Sequence, residues 1–117
     1  MSKTVTISLL EIVGSPLCVA SEDGQMVYDR IAGALREGKS VMVSFLNVTS
    51  LTSAFLNAAI GQLYDTRTAE EIRSKVTVQD IQPDDRALLK RVVDTAKEYF
   101  KDPERFKRAQ RAAMGGN

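Results

Sequence analysis

Hydroxyl side chains crowd together at Thr49, Ser50, Thr52 and Ser53, immediately ahead of an apolar run, Phe55, Leu56, Ala59, Ile60 and Leu63. That spacing predicts a helix beginning near Ser53 with one face turned to a core. Upstream, Val41, Val43 and Phe45 alternate with Met42, Ser44 and Leu46. Five of these six residues are apolar, so both faces of the strand want burial, as in the central strand of a sheet covered by helices. Hydroxyls thus gather beside the end of a central strand, at the positive end of a helix dipole. A hydroxyl placed there can cap the helix, meet a partner, or accept a phosphate.

Ser53 carries both readings. As a cap, its oxygen accepts a backbone N–H bond worth about 1 kcal/mol, and this is the leading role. As a phosphoacceptor, it would bring about −1.5 to −2 charges to a surface of neutral hydroxyls, next to unpaired N–H groups. One modification would then change partner binding without unfolding the domain.

Other chemistry is poorly supplied. The chain has no histidine, which removes the commonest general base and the commonest metal ligand together. Cys18 is the single cysteine, so no intramolecular disulfide forms, and the apolar neighbours Leu17, Val19 and Ala20 mark it as a buried small residue. The acidic pairs Glu22-Asp23, Glu70-Glu71 and Asp84-Asp85 stand at helix starts, where the dipole favours them. Gly24 and Gly33 belong to no phosphate-cradling turn. A nucleophilic Ser53 would need a lysine or carboxylate base brought in by the fold. The expectation is a protein that is not an enzyme and takes no cofactor and no metal.

Charge is nearly balanced, at a formal net of +1, which gives no general attraction to nucleic acid or membranes. Arg105, Lys107, Arg108 and Arg111 form a basic C-terminal cluster. It reads first as a solvated helix face; the alternative is a nucleic-acid contact in a regulator. No segment approaches the roughly 20 apolar residues of a membrane span, and no secretory signal opens the chain, so a cytoplasmic protein is expected.

The elements that position these residues follow from periodicity. Val5, Ile7 and Leu9 alternate as a first strand ending before Gly14-Ser15-Pro16, and residues 17 to 20 suit a short second strand. Ser21 is placed as the cap of a helix through Val27, Ile31, Ala34 and Leu35, stopped at Gly38, with Gly33 in close packing against the sheet. Gly61 reads as a close-approach position beside Ala58 and Ala59. Thr68 and Glu71 have capping-box spacing, Val76 and Val78 mark a further strand, and Leu89, Val92, Val93, Ala96 and Phe100 form one helical stripe. Asp102-Pro103-Glu104 is a break and restart leading to a short terminal helix anchored by Phe106. The whole is one α/β domain over residues 1–113 with a short tail, 114–117: a mixed β-sheet with helices packed on it.

Residues 4 to 100, most specifically 41 to 64, resemble the STAS fold of anti-sigma-factor antagonists. They are more closely similar to the STAS-like bacterial and phage domain of unknown function that occurs beside histidine-kinase-type ATPases. In ordinary STAS domains an Asp-Ser-Ser-Gly-Leu turn opens the helix after the strand; here the string is Thr52-Ser53-Ala54-Phe55-Leu56. Ser53 falls on the position a partner kinase phosphorylates, while Thr52 replaces the Asp, Ala54 the second Ser and Phe55 the Gly. The STAS-like branch is matched by Ser53-Ala54-Phe55 and by Gly61-Gln62-Leu63-Tyr64. The resemblance implies a regulatory interaction module whose partner is a histidine-kinase-type ATPase or serine kinase. It assigns the contact surface to Asn47, Thr49, Ser50, Thr52, Ser53 and Asn57.

Overall fold

Alternating apolar residues in three short strands build one face of a parallel sheet. The computed structural model describes residues 3–101. In it β1 (Thr4–Ser8), β3 (Ser40–Ser44) and β5 (Val76–Gln79) lie in the order β1-β3-β5, so β3 is central, as its sequence requires. The register stacks Val5, Val41 and Val76 in one cross-strand row and Ile7, Val43 and Val78 in the next. Both rows face the helices. On the opposite face stand Thr6, Met42 and Thr77, then Ser8, Ser44 and Gln79, and Thr6, Thr77 and Gln79 are exposed.

One expectation changes here. All strand pairings among the described residues are parallel, where a mixed sheet was expected. Among the described residues the helices pack on the valine face, while the flanking strands turn Thr, Ser and Gln to the other. The α/β class, with helices packed on a sheet, stands.

Short helices and turns lead into this frame. After β1 the chain forms α1 (Leu9–Val13): Ser8 accepts from the Glu11 N–H at 3.2 Å and Gly14 closes the helix at φ 76°. Leu9 is therefore the buried first residue of a helix, not the last of a strand. β2 (Leu17–Cys18) pairs in parallel with β4 (Ser50–Leu51) as a separate two-stranded ribbon. The main helix, α2 (Ser21–Arg36), begins one residue earlier than its serine suggested. Ala20 is the cap, its carbonyl accepting from the Gly24 N–H at 3.1 Å, and Ser21 is already helical. Its C-terminus is a Schellman turn, with Lys39 N–H bonded to Ala34 O, Gly38 N–H to Leu35 O, and Gly38 at φ 77°.

The helix after the hydroxyl cluster is not uniform. It runs as α3 (Ser53–Leu56), a π turn (Asn57–Gly61) and α4 (Leu63–Thr66). The buried residues Phe55, Ala59 and Leu63, with Leu56 and Ile60 beside them, recur every fourth position. At about 3.6 residues per turn such a repeat drifts around an α-helix. The wider turn, closed by Gln62 N–H to Asn57 O at 3.1 Å, takes up that drift and keeps the set inward. Next, α5 (Ala69–Lys75) is capped by Thr68, which accepts from Glu71 N–H, and leads into β5. Finally α6 (Pro83–Lys101) lays Val92 and Ala96 beside the π turn, each 3.8 Å from where a Cβ on Gly61 would stand, an ordinary contact distance.

The core is continuous through Ile7, Val27, Ile31, Val41, Val43, Phe45, Phe55, Leu56, Ile60 and Leu63. The close approach expected at Gly33 belongs instead to Gly24. At Gly24 a Cβ would stand 2.4 Å from the Phe55 carbonyl oxygen and 2.8 Å from the Ala58 Cβ, so α2 and α3 meet backbone to backbone there. Gly33 has nothing nearer than the Arg36 guanidinium at 3.8 Å and is no contact at all. The expected terminal helix with Phe106, the basic residues Arg105, Lys107, Arg108 and Arg111, and the tail 114–117 lie outside the described residues.

Candidate functional site

The chain leaves the central strand through a turn at Leu46-Asn47, where Asn47 adopts φ 65° and the Val48 N–H returns to Phe45 O at 3.1 Å. Asparagine tolerates this left-handed geometry better than most side chains. From there the segment 49–52 is zipped to the segment 16–19. Pro16 O accepts from Thr49 N–H at 2.9 Å and from Ser50 N–H at 3.3 Å, and Thr52 N–H donates to Cys18 O at 3.3 Å. Thr52 locks the end: its hydroxyl donates to Val19 O at 2.7 Å and accepts from Phe55 N–H at 3.2 Å.

Thr52 is therefore the helix cap, and Ser53 is not. Ser53 is the exposed first helical residue, one position inside the cap. Capping geometry explains the change, since a cap must have extended φ/ψ and Thr52 has it, at φ −124° and ψ 159°. The Ser53 hydroxyl is left without a hydrogen bond among the described residues. Behind it, Phe55 and Leu56 are fully buried, which fixes the short helix beneath an accessible hydroxyl.

Of the surface residues expected from sequence, Asn47, Thr49, Ser50, Ser53 and Asn57 are all exposed, while Thr52 is half-buried and occupied in the zipper. The ribbon joins Thr49 and Ser50 to a second segment that the sequence reading left out. Leu17, paired in register with Ser50, is 50 % exposed and Val19 is 40 % exposed, while Leu46 in the turn reaches 56 %. Their alternation around the buried Cys18 was the available signal: a strand with its outer side apolar. Ser53 and Asn57 also line a shallow pocket of about 310 Å³ with Leu88, Arg91 and Thr95 of α6. That pocket brings in a cation, Arg91, which makes no ion pair among the described residues.

The site's own segment supplies no charge. Between Lys39 and Asp65 the sequence carries no charged residue, so Arg91 reaches it from a distant element. Cys18, beneath the ribbon, is fully buried, and burial, with a smaller push from the Asp23 charge, raises its thiol from 9.0 to about 11. It is a protonated core residue at neutral pH, not a nucleophile. Among the described residues no cluster of acidic or cysteine side chains is arranged to hold a metal ion, and no helix is long and apolar enough to cross a membrane. The acidic pairs all stand in first helical turns, as expected from the dipole.

A parallel sheet with helices packed on it, its central strand leading to a capped helix that opens at a serine, is consistent with a single α/β STAS-like domain. The comparison with known families agrees: the family described as STAS-like domain of unknown function (DUF4325) matches residues 23–86, and the chain belongs to it. The match spans α2, the central strand, the ribbon's second strand, the site helix and β5. No curated protein and no solved structure matches the chain.

Proposed function

We propose that this STAS-like domain is a non-enzymatic regulatory module, resembling an anti-sigma-factor antagonist of bacterial or phage origin. Its partner is a histidine-kinase-type ATPase or serine kinase, bound through the surface of residues 47–57. The observation that carries the reading is a segment free of charged residues whose exposed hydroxyls, Ser50 on the ribbon and Ser53 at the helix start that follows it, accompany the exposed apolar side chains Leu17 and Val19 of the ribbon's other segment. Neutral polar groups beside exposed aliphatic ones suit a protein partner, because neither class has to shed a charge on docking.

The absence of charge also makes the patch switchable. A phosphate on Ser53 would be its dominant charge, beside Arg91 and a helix start that both favour an anion. It would leave the fold intact and oppose docking, since the partner must desolvate it or offer a cation. Capture of the partner from the source cell with the wild-type chain, followed by calorimetry on wild type, Ser53→Ala and Ser53→Asp, tests both parts. A partner of another class would refute the assignment, and equal affinities for the three chains would refute the switch.

A further inference from the structure

The strand β5 is an edge of the sheet, and no described strand pairs with its outer side. The Gln79 carbonyl accepts from the Phe45 N–H. Backbone groups alternate in direction along a strand, so Thr77 and Gln79 bond inward and the N–H and C=O of Val78 point to the open side. Beside this edge runs a groove of about 450 Å³ between β5, α5 and α6. Val76 and Val78 form its floor, Leu89 and Val93 of α6 one wall and Ile72 of α5 the other. Three cations, Arg73, Arg86 and Lys97, stand around it against a single acid, Glu70. None of these three makes an ion pair among the described residues, whereas Arg67, Lys39 and Lys90 all do.

We infer that this groove is a second docking site, taking an extended acidic peptide segment of a partner protein that adds as a strand to the β5 edge. The unpaired backbone of Val78 supplies main-chain pairing, and the apolar floor takes alternate side chains of the incoming strand. The cationic rim stands on the same face as that floor, so acidic side chains belong at the flanks of the same alternate set, beyond the apolar ones. Lys97 also lines the neighbouring cleft, which continues along α6 to Lys101. From Arg86 to Lys101 is about 22 Å at 1.5 Å per residue, the span of roughly seven extended residues. The rim disfavours two nearer occupants. The chain's own C-terminal segment is basic, through Arg105, Lys107, Arg108 and Arg111, and a second copy would set one cationic rim against another. This site is separate from the 47–57 surface and does not depend on the function proposed for it.

The test uses the full-length, ¹⁵N-labelled chain and a fluorescein-labelled heptapeptide, Glu-Ser-Val-Ser-Val-Ser-Glu, whose alternate residues present two valines flanked by two glutamates on one face. Expected are amide shifts centred on residues 76–79, slowed exchange of the Val78 N–H on binding, and affinity that falls roughly tenfold, about 1.4 kcal/mol, for Arg73→Glu/Arg86→Glu with an unchanged melting temperature. A lysine-for-glutamate peptide should not bind. Three results would overturn the inference: equal binding of both peptides, equal binding of a peptide N-methylated along its pairing edge, or a Val78 N–H already protected in the free chain, which would mean that the chain's own tail or a second copy fills the groove. If the double variant melts lower, Lys97→Glu replaces it, with the same loss of binding expected and unchanged affinity counting against the site.

Discussion

Gly24 of α2 meets the Phe55 carbonyl of α3 so closely that a Cβ at Gly24 would lie 2.4 Å from that oxygen. The contact holds the start of the site helix against α2, and Gln25 strengthens the same seam by accepting from Gln62 Nε2 at 2.8 Å. Gly24→Ala should therefore destabilise the fold by about 1–3 kcal/mol through overpacking. Gly33→Ala, with open space around it, should stabilise by up to about 1 kcal/mol through helix propensity. Urea unfolding of the two variants beside wild type reads both, and a neutral Gly24→Ala would refute the close approach.

Thr52 and Ser53 are adjacent hydroxyls with different work. Thr52→Ala removes the cap and the tie to Val19 together and should cost about 1–2 kcal/mol. Ser53→Ala should change stability by no more than about 0.5 kcal/mol. Thermal or urea unfolding separates them, and the reverse order would return the capping role to Ser53.

The thiol of Cys18 gives a pH signature. Its folded value, about 11, lies above the ordinary 9.0, so the native state holds a proton that the unfolded chain releases. The contribution to stability is complete below pH 9 and is lost as pH rises from 9 through 11. The loss is at most about 2–3 kcal/mol for two pH units. Tyr64 is also pushed upward, by burial first and the Asp94 charge second, and acts in the same direction. Cys18→Ala should accordingly flatten the melting-temperature profile over that window without making it level. A profile identical to wild type would contradict the assignment.

Arg91 and Ser53 line one pocket, so a charge at residue 53 should feel the guanidinium. Ser53→Asp should unfold at least as high as wild type, and Arg91→Ala should remove that advantage. A double-mutant cycle is expected to give a coupling of about 0.2–1 kcal/mol that shrinks with added salt. A zero coupling at low salt would separate the two residues.

Much of this was legible before any coordinates. The central strand, the buried set Phe55, Ile60 and Leu63, the Thr68 cap and the stripe on α6 all follow from periodicity and local capping rules, which act over a few residues. The misreadings share one cause: they needed to know what lies across space. Nothing near Gly33 in sequence distinguishes it from Gly24, yet only Gly24 faces another backbone. Thr52 outranked Ser53 as the cap because Val19, 33 residues earlier in the chain, was there to bond it. Leu17 and Val19 joined the site only through parallel pairing of β2 with β4, and Arg91 through the packing of α6. The short helix α1, by contrast, was signalled locally by Ser8 and Gly14 and hidden by an alternation that Leu9 happened to continue.

On the function proposed above, the 47–57 surface, whose own segment carries no charged side chain, binds a protein partner, and charge at residue 53 opposes that binding. Isothermal calorimetry of the captured ATPase or kinase against wild type and Ser53→Asp, both shown by melting to be equally folded, measures it directly. Ser53→Asp should bind roughly tenfold or more weakly, a loss of about 1.4 kcal/mol or greater, with Ser53→Ala close to wild type. Equal affinity of Ser53→Asp and wild type would contradict it and leave Ser53 an ordinary exposed residue at the start of a helix.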